Sequence, residues 1–343
     1  MFGPAQLPRS FEASLRDRES ERLHVRLSAV RDLGRHAGLD RSGRALAALR
    51  ETLATDASAE VRGAAALSLA DADARTAAEA LIRALDDSSL HVRQMALLAL
   101  GELGNEGDPR LLSVVEAALE DSAPALRFQA LIASHKLNAP FAESALFAGT
   151  RDADAEVRHL AFRLLEERAS GTEGLARPTE AVQDAACAGL DDGVLSVRLA
   201  AAILLARSGD HAGDSVIAAA LSDGRGIEPD DEQTAIVLAG ELSIMAARPG
   251  LERRAFGFRF GRDRFSYEAR IALAKLGDVR ARSRIAQELA AWNRDTRTLA
   301  VVAAGRAELV EARDTIERMR GDPRRAEPEA VEEALLLLSR PRS

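Results

Sequence analysis

One phrase recurs through the chain: an acidic residue, four more residues, Val-Arg, then Ala four positions after the Val and often Leu-Gly at the end. It runs from Asp56 to Val61-Arg62, Asp87 to Val92-Arg93, Asp152 to Val157-Arg158 and Asp192 to Val197-Arg198, with Asp121 to Leu126-Arg127 as a conservative variant. Self-similarity at a fixed period of this size means that each copy buries its apolar face only against its neighbours. Taking the Val as origin, copies start at Val25, Val61, Val92, Leu126, Val157 and Val197, with degenerate ones near Asp231 and Glu268, a restored one at Thr296 and a last one at Ala330. The intervals average about 34 residues, which predicts roughly ten units.

The spacing within the phrase identifies the units as helical. Val, Ala four later and Leu eight later line one stripe of a helix, the buried seam. Ser58, Ser89 and Asp154 stand three residues before their origins, where a side chain caps a helix start. Pro124 suits a first turn. Upstream of each phrase lies a second helical pattern, as at 107–121 and 278–292. Aromatic residues make up only 3% of the chain, and Ala and Leu favour helix. The expectation is an all-α protein.

The phrase, together with Gly107-Asp108-Pro109 ahead of a first helix, resembles the HEAT repeat family, and in particular the bacterial phycobilisome-lyase-like HEAT repeats. The resemblance covers nearly all of residues 20–340. It implies an α-solenoid of about ten helix pairs forming a right-handed superhelix, with residues 1–19 as an N-terminal cap segment and 20–343 as a single solenoid. It also implies that the repeated Asp and Arg form a polar ladder between neighbouring repeats. The ladder residues are then Asp56, Arg62, Asp87, Arg93, Asp121, Arg127, Asp152, Arg158, Asp192 and Arg198.

Chemistry is harder to find in the sequence. One enzyme of this repeat class, deoxyhypusine hydroxylase, binds two irons through His-Glu pairs, but none of the six histidines (24, 36, 91, 135, 159 and 211) is followed by Glu. Bilin lyases of the same subclass work as paired subunits, and only the generic phrase supports that reading here. HEAT-like DNA-base glycosylases combine a basic surface, aromatics and a carboxylate; Trp292 with Asp295 offers one such pair. The plainer expectation is that Trp292 plugs one helix end against the next. Cys187, the single cysteine, lies in an Ala-rich helix and is expected to be a small buried thiol. No phosphate loop or nucleophile motif occurs, and no metal or cofactor is expected.

Net charge is -8, unevenly spread: residues 1–247 carry about -14 and residues 248–325 about +8. The overall sign argues against general affinity for nucleic acid or anionic membrane, though the basic C-terminal third keeps nucleic acid as a lesser reading. No apolar run approaches the length of a membrane span, and the N-terminal residues lack the apolar core of a signal peptide. The chain reads as cytoplasmic and bacterial.

Residues 248–267 depart from the pattern. Phe256, Phe258, Phe260, Phe265 and Tyr267 fall among Arg253, Arg254, Arg259, Arg262 and Arg264. The period-two alternation and two glycines permit a hairpin or extended loop through the middle, with helix at the flanks. Inserted loops in a solenoid often belong to the binding face, and Arg and aromatics are enriched at interaction hot spots. A second candidate surface is the concave second-helix face, with His91, Gln94, Phe128 and His159. The reading is a non-enzymatic scaffold that binds one or more proteins.

Overall fold

A computed structural model describes residues 9–40, 42–72, 77–104, 108–169, 179–257 and 264–339. It holds twenty α-helices among the described residues, and no strand. They form ten pairs, divided between two compact units, residues 1–165 and 166–343, with the division inside α10. The first unit comprises α1 (Phe11–Asp17) with α2 (Leu23–Ala37), α3 (Arg44–Thr55) with α4 (Ala59–Asp71), α5 (Ala78–Ala84) with α6 (Leu90–Glu102), α7 (Pro109–Ala118) with α8 (Pro124–Lys136), and α9 (Ala142–Gly149) with α10 (Ala155–Ala169).

The second unit comprises α11 (Glu180–Gly189) with α12 (Leu195–Arg207), α13 (Asp214–Asp223) with α14 (Pro229–Glu241), α15 (Arg248–Phe256) with α16 (Ser266–Lys275), α17 (Val279–Leu289) with α18 (Arg294–Arg306), and α19 (Arg313–Glu317) with α20 (Pro328–Ser339). Short 3-10 turns, Met245–Ala247 and Val310–Ala312, lead into α15 and α19.

Second helices carry the main seam. In the first unit α2, α4, α6 and α8 pack in succession, while the first helices touch one another lightly. Close approach is built in by glycine at nine residues past the origin. A Cβ at Gly34 would fall 2.9 Å from Ser68 Cβ, and one at Gly101 would fall 3.1 Å from Ala133 Cα. The origins Val61, Val92, Val157 and Val197 and the Ala four residues on are almost fully buried, so one helical stripe forms the core as the spacing requires.

The same glycine contact corrects the repeat register in the second unit. Glycine nine past one origin meets the residue seven past the next origin: Gly34 meets Ser68, and Gly101 meets Ala133. Gly240 meets Ala272, and Gly305 meets Ala334, so the last origins are Phe265 and Glu327 rather than Glu268 and Ala330. Phe265, Ala269 and Leu273 then fill the Val, Ala and Leu positions, all buried. Three residues is close to one helical turn, so the slip leaves nearly the same face apolar and the sequence hides it.

The expected caps are mixed. Asp154 accepts from the amides of Glu156 and Val157 at 2.9 and 3.2 Å. Ser58 and Ser89 occupy N-cap positions without a side-chain bond. Their own amides donate instead to Asp56 and Asp87, each at 2.8 Å. At these turns the ladder aspartate supplies the local bond expected of the serine.

Candidate functional site

The ladder is the most ordered polar feature. Arg62 donates from Nε and Nη2 to both carboxylate oxygens of Asp87, each at 2.8 Å, and from Nη1 to the carbonyl of Asp56. Arg127 treats Asp152 the same way, at 2.7 and 2.6 Å, and also donates to the carbonyl of Asp121. Arg26, one past the first origin, pairs with Asp56 at 2.9 and 3.2 Å. Arg93, Arg158 and Arg198 donate to the carbonyls of Asp87, Asp152 and Asp192. Each aspartate of these turns also accepts from the amide two residues on, including Asp121 and Asp192. The planar guanidinium suits this forked geometry, which lysine cannot reproduce. Hydrogen bonds from Arg62 and Arg127 hold the Asp87 and Asp152 carboxyls below their ordinary range.

In the second unit the rung changes polarity. Glu232 stands where the ladder Arg is expected, one past Asp231. Its Oε1 accepts from Arg254 Nε at 3.0 Å and Nη2 at 2.5 Å, and its Oε2 accepts from Arg264 at 3.2 Å. Arg254 is buried and donates further to the carbonyls of Leu221 and Gly250.

This revises the Arg/Phe segment as a surface. Arg254 and Phe265 are buried, so neither is available to a partner. Phe256 is half-buried with the Arg280 guanidinium 4.4 Å over its ring. Tyr267 is half-buried and donates to the carbonyl of Leu299, and its burial pushes the hydroxyl pKa up to about 12. Arg253 and Arg264 are exposed at the described ends. Phe258, Arg259, Phe260 and Arg262 lie outside the described residues. Both flanks are helical, α15 and α16.

Much of the basic third is likewise engaged within its unit. Arg248 pairs with Glu252 and Asp278, Arg270 with Glu288, and Arg320 with Glu332. Arg297, in the ladder position, donates to the carbonyls of Arg324 and Arg325.

Two single residues overturn expectation. Cys187 is exposed, because α11 turns Val182, Ala185, Ala186 and Gly189 to the core and leaves the thiol outward. Trp292 is 97% exposed at the tip of the turn between α17 and α18 and plugs nothing.

On the second-helix face His91 is exposed, and Gln94, Phe128 and His159 are half-buried. His91 reaches across to α4: a Cβ at Gly63 would come within 2.8 Å of its Nε2. Alongside them stand Leu67, Met95, Leu98, Ile132 and Leu160, also half-buried. Sequence reasoning missed these five. They lie three or six residues past their origins, on the same face as the two-past positions, which was the available signal. Among the described residues no group of three or more His, Cys, Asp and Glu could hold a metal ion, and no helix is long and apolar enough to cross a membrane.

Paired helices, a glycine-tightened second-helix seam and an Arg–Asp ladder define an all-α solenoid fold. Residues 46–135 match the family of HEAT repeats. Among solved structures, YibA of Escherichia coli is similar at 19% identity and a TM-score of 0.54, covering 78% of this chain and 93% of that one. An engineered protein aligns at 17% identity and a TM-score of 0.46, over 96% and 99% of the two chains. The CpcE–CpcF complex of phycocyanin lyase from Nostoc aligns at 19% identity and a TM-score of 0.42, over 81% and 98%. A search of the curated proteins finds no match.

Proposed function

We propose that this protein is a non-enzymatic scaffold for protein–protein assembly, and that the second-helix face of its first unit receives the partner. The observation that supports it is the half-buried row Leu67, Gln94, Met95, Leu98, Phe128, Ile132, His159 and Leu160. These side chains differ from repeat to repeat, on a frame whose Ala and Arg positions are constant and whose origin is Val or Leu. Varied apolar and polar groups on a constant scaffold make an extended recognition surface. The arginines of the basic third favour nucleic acid less, since those paired with carboxylates have their charge already compensated and offer little to a phosphate.

The test is affinity capture from native lysate, comparing wild type with Phe128→Asp/Ile132→Asp, with part of the lysate treated with nuclease. The fold of the variant is checked by circular dichroism. A protein captured by wild type, lost by a folded variant and indifferent to nuclease is the expected result. Capture unchanged by the variant overturns the assignment of the face, and capture abolished by nuclease overturns the protein-binding reading.

A further inference from the structure

Two matching grooves open on the first-helix edge of the first unit, one repeat apart. The first, about 270 Å³, lies between α5 and α7; the second, about 440 Å³, lies between α7 and α9. Their linings correspond position by position. Leu97 and Leu126 floor one, and Leu131 and Val157 floor the other. Leu85 walls the first and Leu119 the second, while small residues face them, Ala117 in one and Ala148 in the other. The ladder closes one side of each, with Arg93 and Asp121 in the first and Arg127 and Asp152 in the second.

The rims are acidic. Asp86 and Glu120 each stand one residue before a ladder aspartate, are exposed, and line one groove apiece. Neither they nor the exposed Glu116 of α7 makes an ion pair among the described residues. Of the cations at this edge, Arg83 is paired with Glu79, Arg110 with Glu79 and Asp108, and Arg127 with Asp152. Arg93 lines the first groove and donates to the carbonyl of Asp87, and Arg151 is exposed. Asp86, Glu116, Glu120 and the groove-lining Asp121 therefore outnumber Arg93 and Arg151.

We infer that this edge is a second docking surface, distinct from the second-helix face, and that it takes a basic amphipathic helix of a partner protein. The first groove falls below the roughly 300–1,000 Å³ of ligand pockets and the second lies near the low end of that range, volumes that suit the side chains of a docked segment. Stacked helices lie about 8–10 Å apart, and residues seven apart on an α-helix are about 10.5 Å apart along its axis. Apolar residues seven apart thus meet successive grooves. A Lys or Arg beside each one faces Asp86 or Glu120, and this charge complementarity sets the partner's sign.

The probe is a fluorescein-labelled Leu/Lys helical peptide with leucines seven apart, titrated against the full chain by anisotropy. Its controls carry Glu for Lys, or Ser for Leu. Ala117→Trp/Ala148→Trp fills both grooves at exposed positions without altering charge, and Asp86→Lys/Glu120→Lys reverses the rims. Wild type is expected to bind the Leu/Lys peptide and neither control. Each variant should bind it at least tenfold more weakly, and the rim variant should gain affinity for the Glu peptide. No binding by wild type overturns the inference. So does equal binding by the filled variant, which would reduce the interaction to attraction by overall charge. If the filled variant does not fold, the rim variant decides alone. Phe128→Asp/Ile132→Asp should leave this binding unchanged, so failure here and failure of the second-helix face are separable.

Discussion

Arg62 and Arg254 do the same work in the two units by opposite means. In the first unit a guanidinium on the second helix crosses to an aspartate at the next turn, and the side chains of the rung stay about one-seventh exposed. In the second unit the carboxylate sits on the second helix at Glu232, and the guanidinium comes from first helix α15, nearly enclosed. A part-exposed rung loses little by solvation and can recur at every interface. A buried guanidinium needs its donors matched, and Arg254 finds two backbone carbonyls besides the half-buried Glu232. The comparison teaches that a cross-repeat ion pair can be built with either polarity.

Three changes would break or sharpen that contrast. The largest effect is expected from Glu232→Ala, which leaves Arg254 buried without its counter-charge and should cost about 3 kcal/mol in urea unfolding. A loss below about 1 kcal/mol would mean that the carbonyls alone satisfy it. Arg127→Ala removes a part-exposed rung and should cost about 2 kcal/mol at neutral pH. That loss should also depend on pH. The native Asp152 carboxyl is held below its ordinary value by Arg127. The rung therefore contributes fully above the unfolded value, about pH 3.9, and fades as pH falls through the lower native one. Urea midpoints of wild type and Arg127→Ala, compared from pH 6 to pH 3, should converge at the acid end.

The smallest effect has the opposite sign. Ser243 follows α14 with φ 56°, in the left-handed region where Gly104, Gly209 and Gly277 follow other second helices. Ser243→Gly should stabilise by about 0.5–1 kcal/mol, read as a raised melting temperature.

Helix pairs and the ladder were legible because both rest on short spacings. Val, Ala and Leu four residues apart fix one helix face, and an Asp six residues before an Arg places both at one turn. The register beyond residue 231 was not legible, since a slip of three residues conserves the face; only the contacts of Gly240 and Gly305 placed it. Cys187 was misjudged because an Ala-rich helix gives little sign of which side is covered. Trp292 was misjudged because a large aromatic ring gives no indication, in sequence, of whether a turn tip has anything to cover it.

The sequence by itself determined the repeat, its helical pairing and the sign of charge at each regular rung, because each depends on residues close together in one copy or in the next. Tertiary structure decided which arginines of the basic third face inward, where the second-helix face leaves apolar side chains half covered, and that two grooves open beside α7. Those outcomes depend on side-chain volumes and charges brought together from three helices at once, a sum that no single repeat contains.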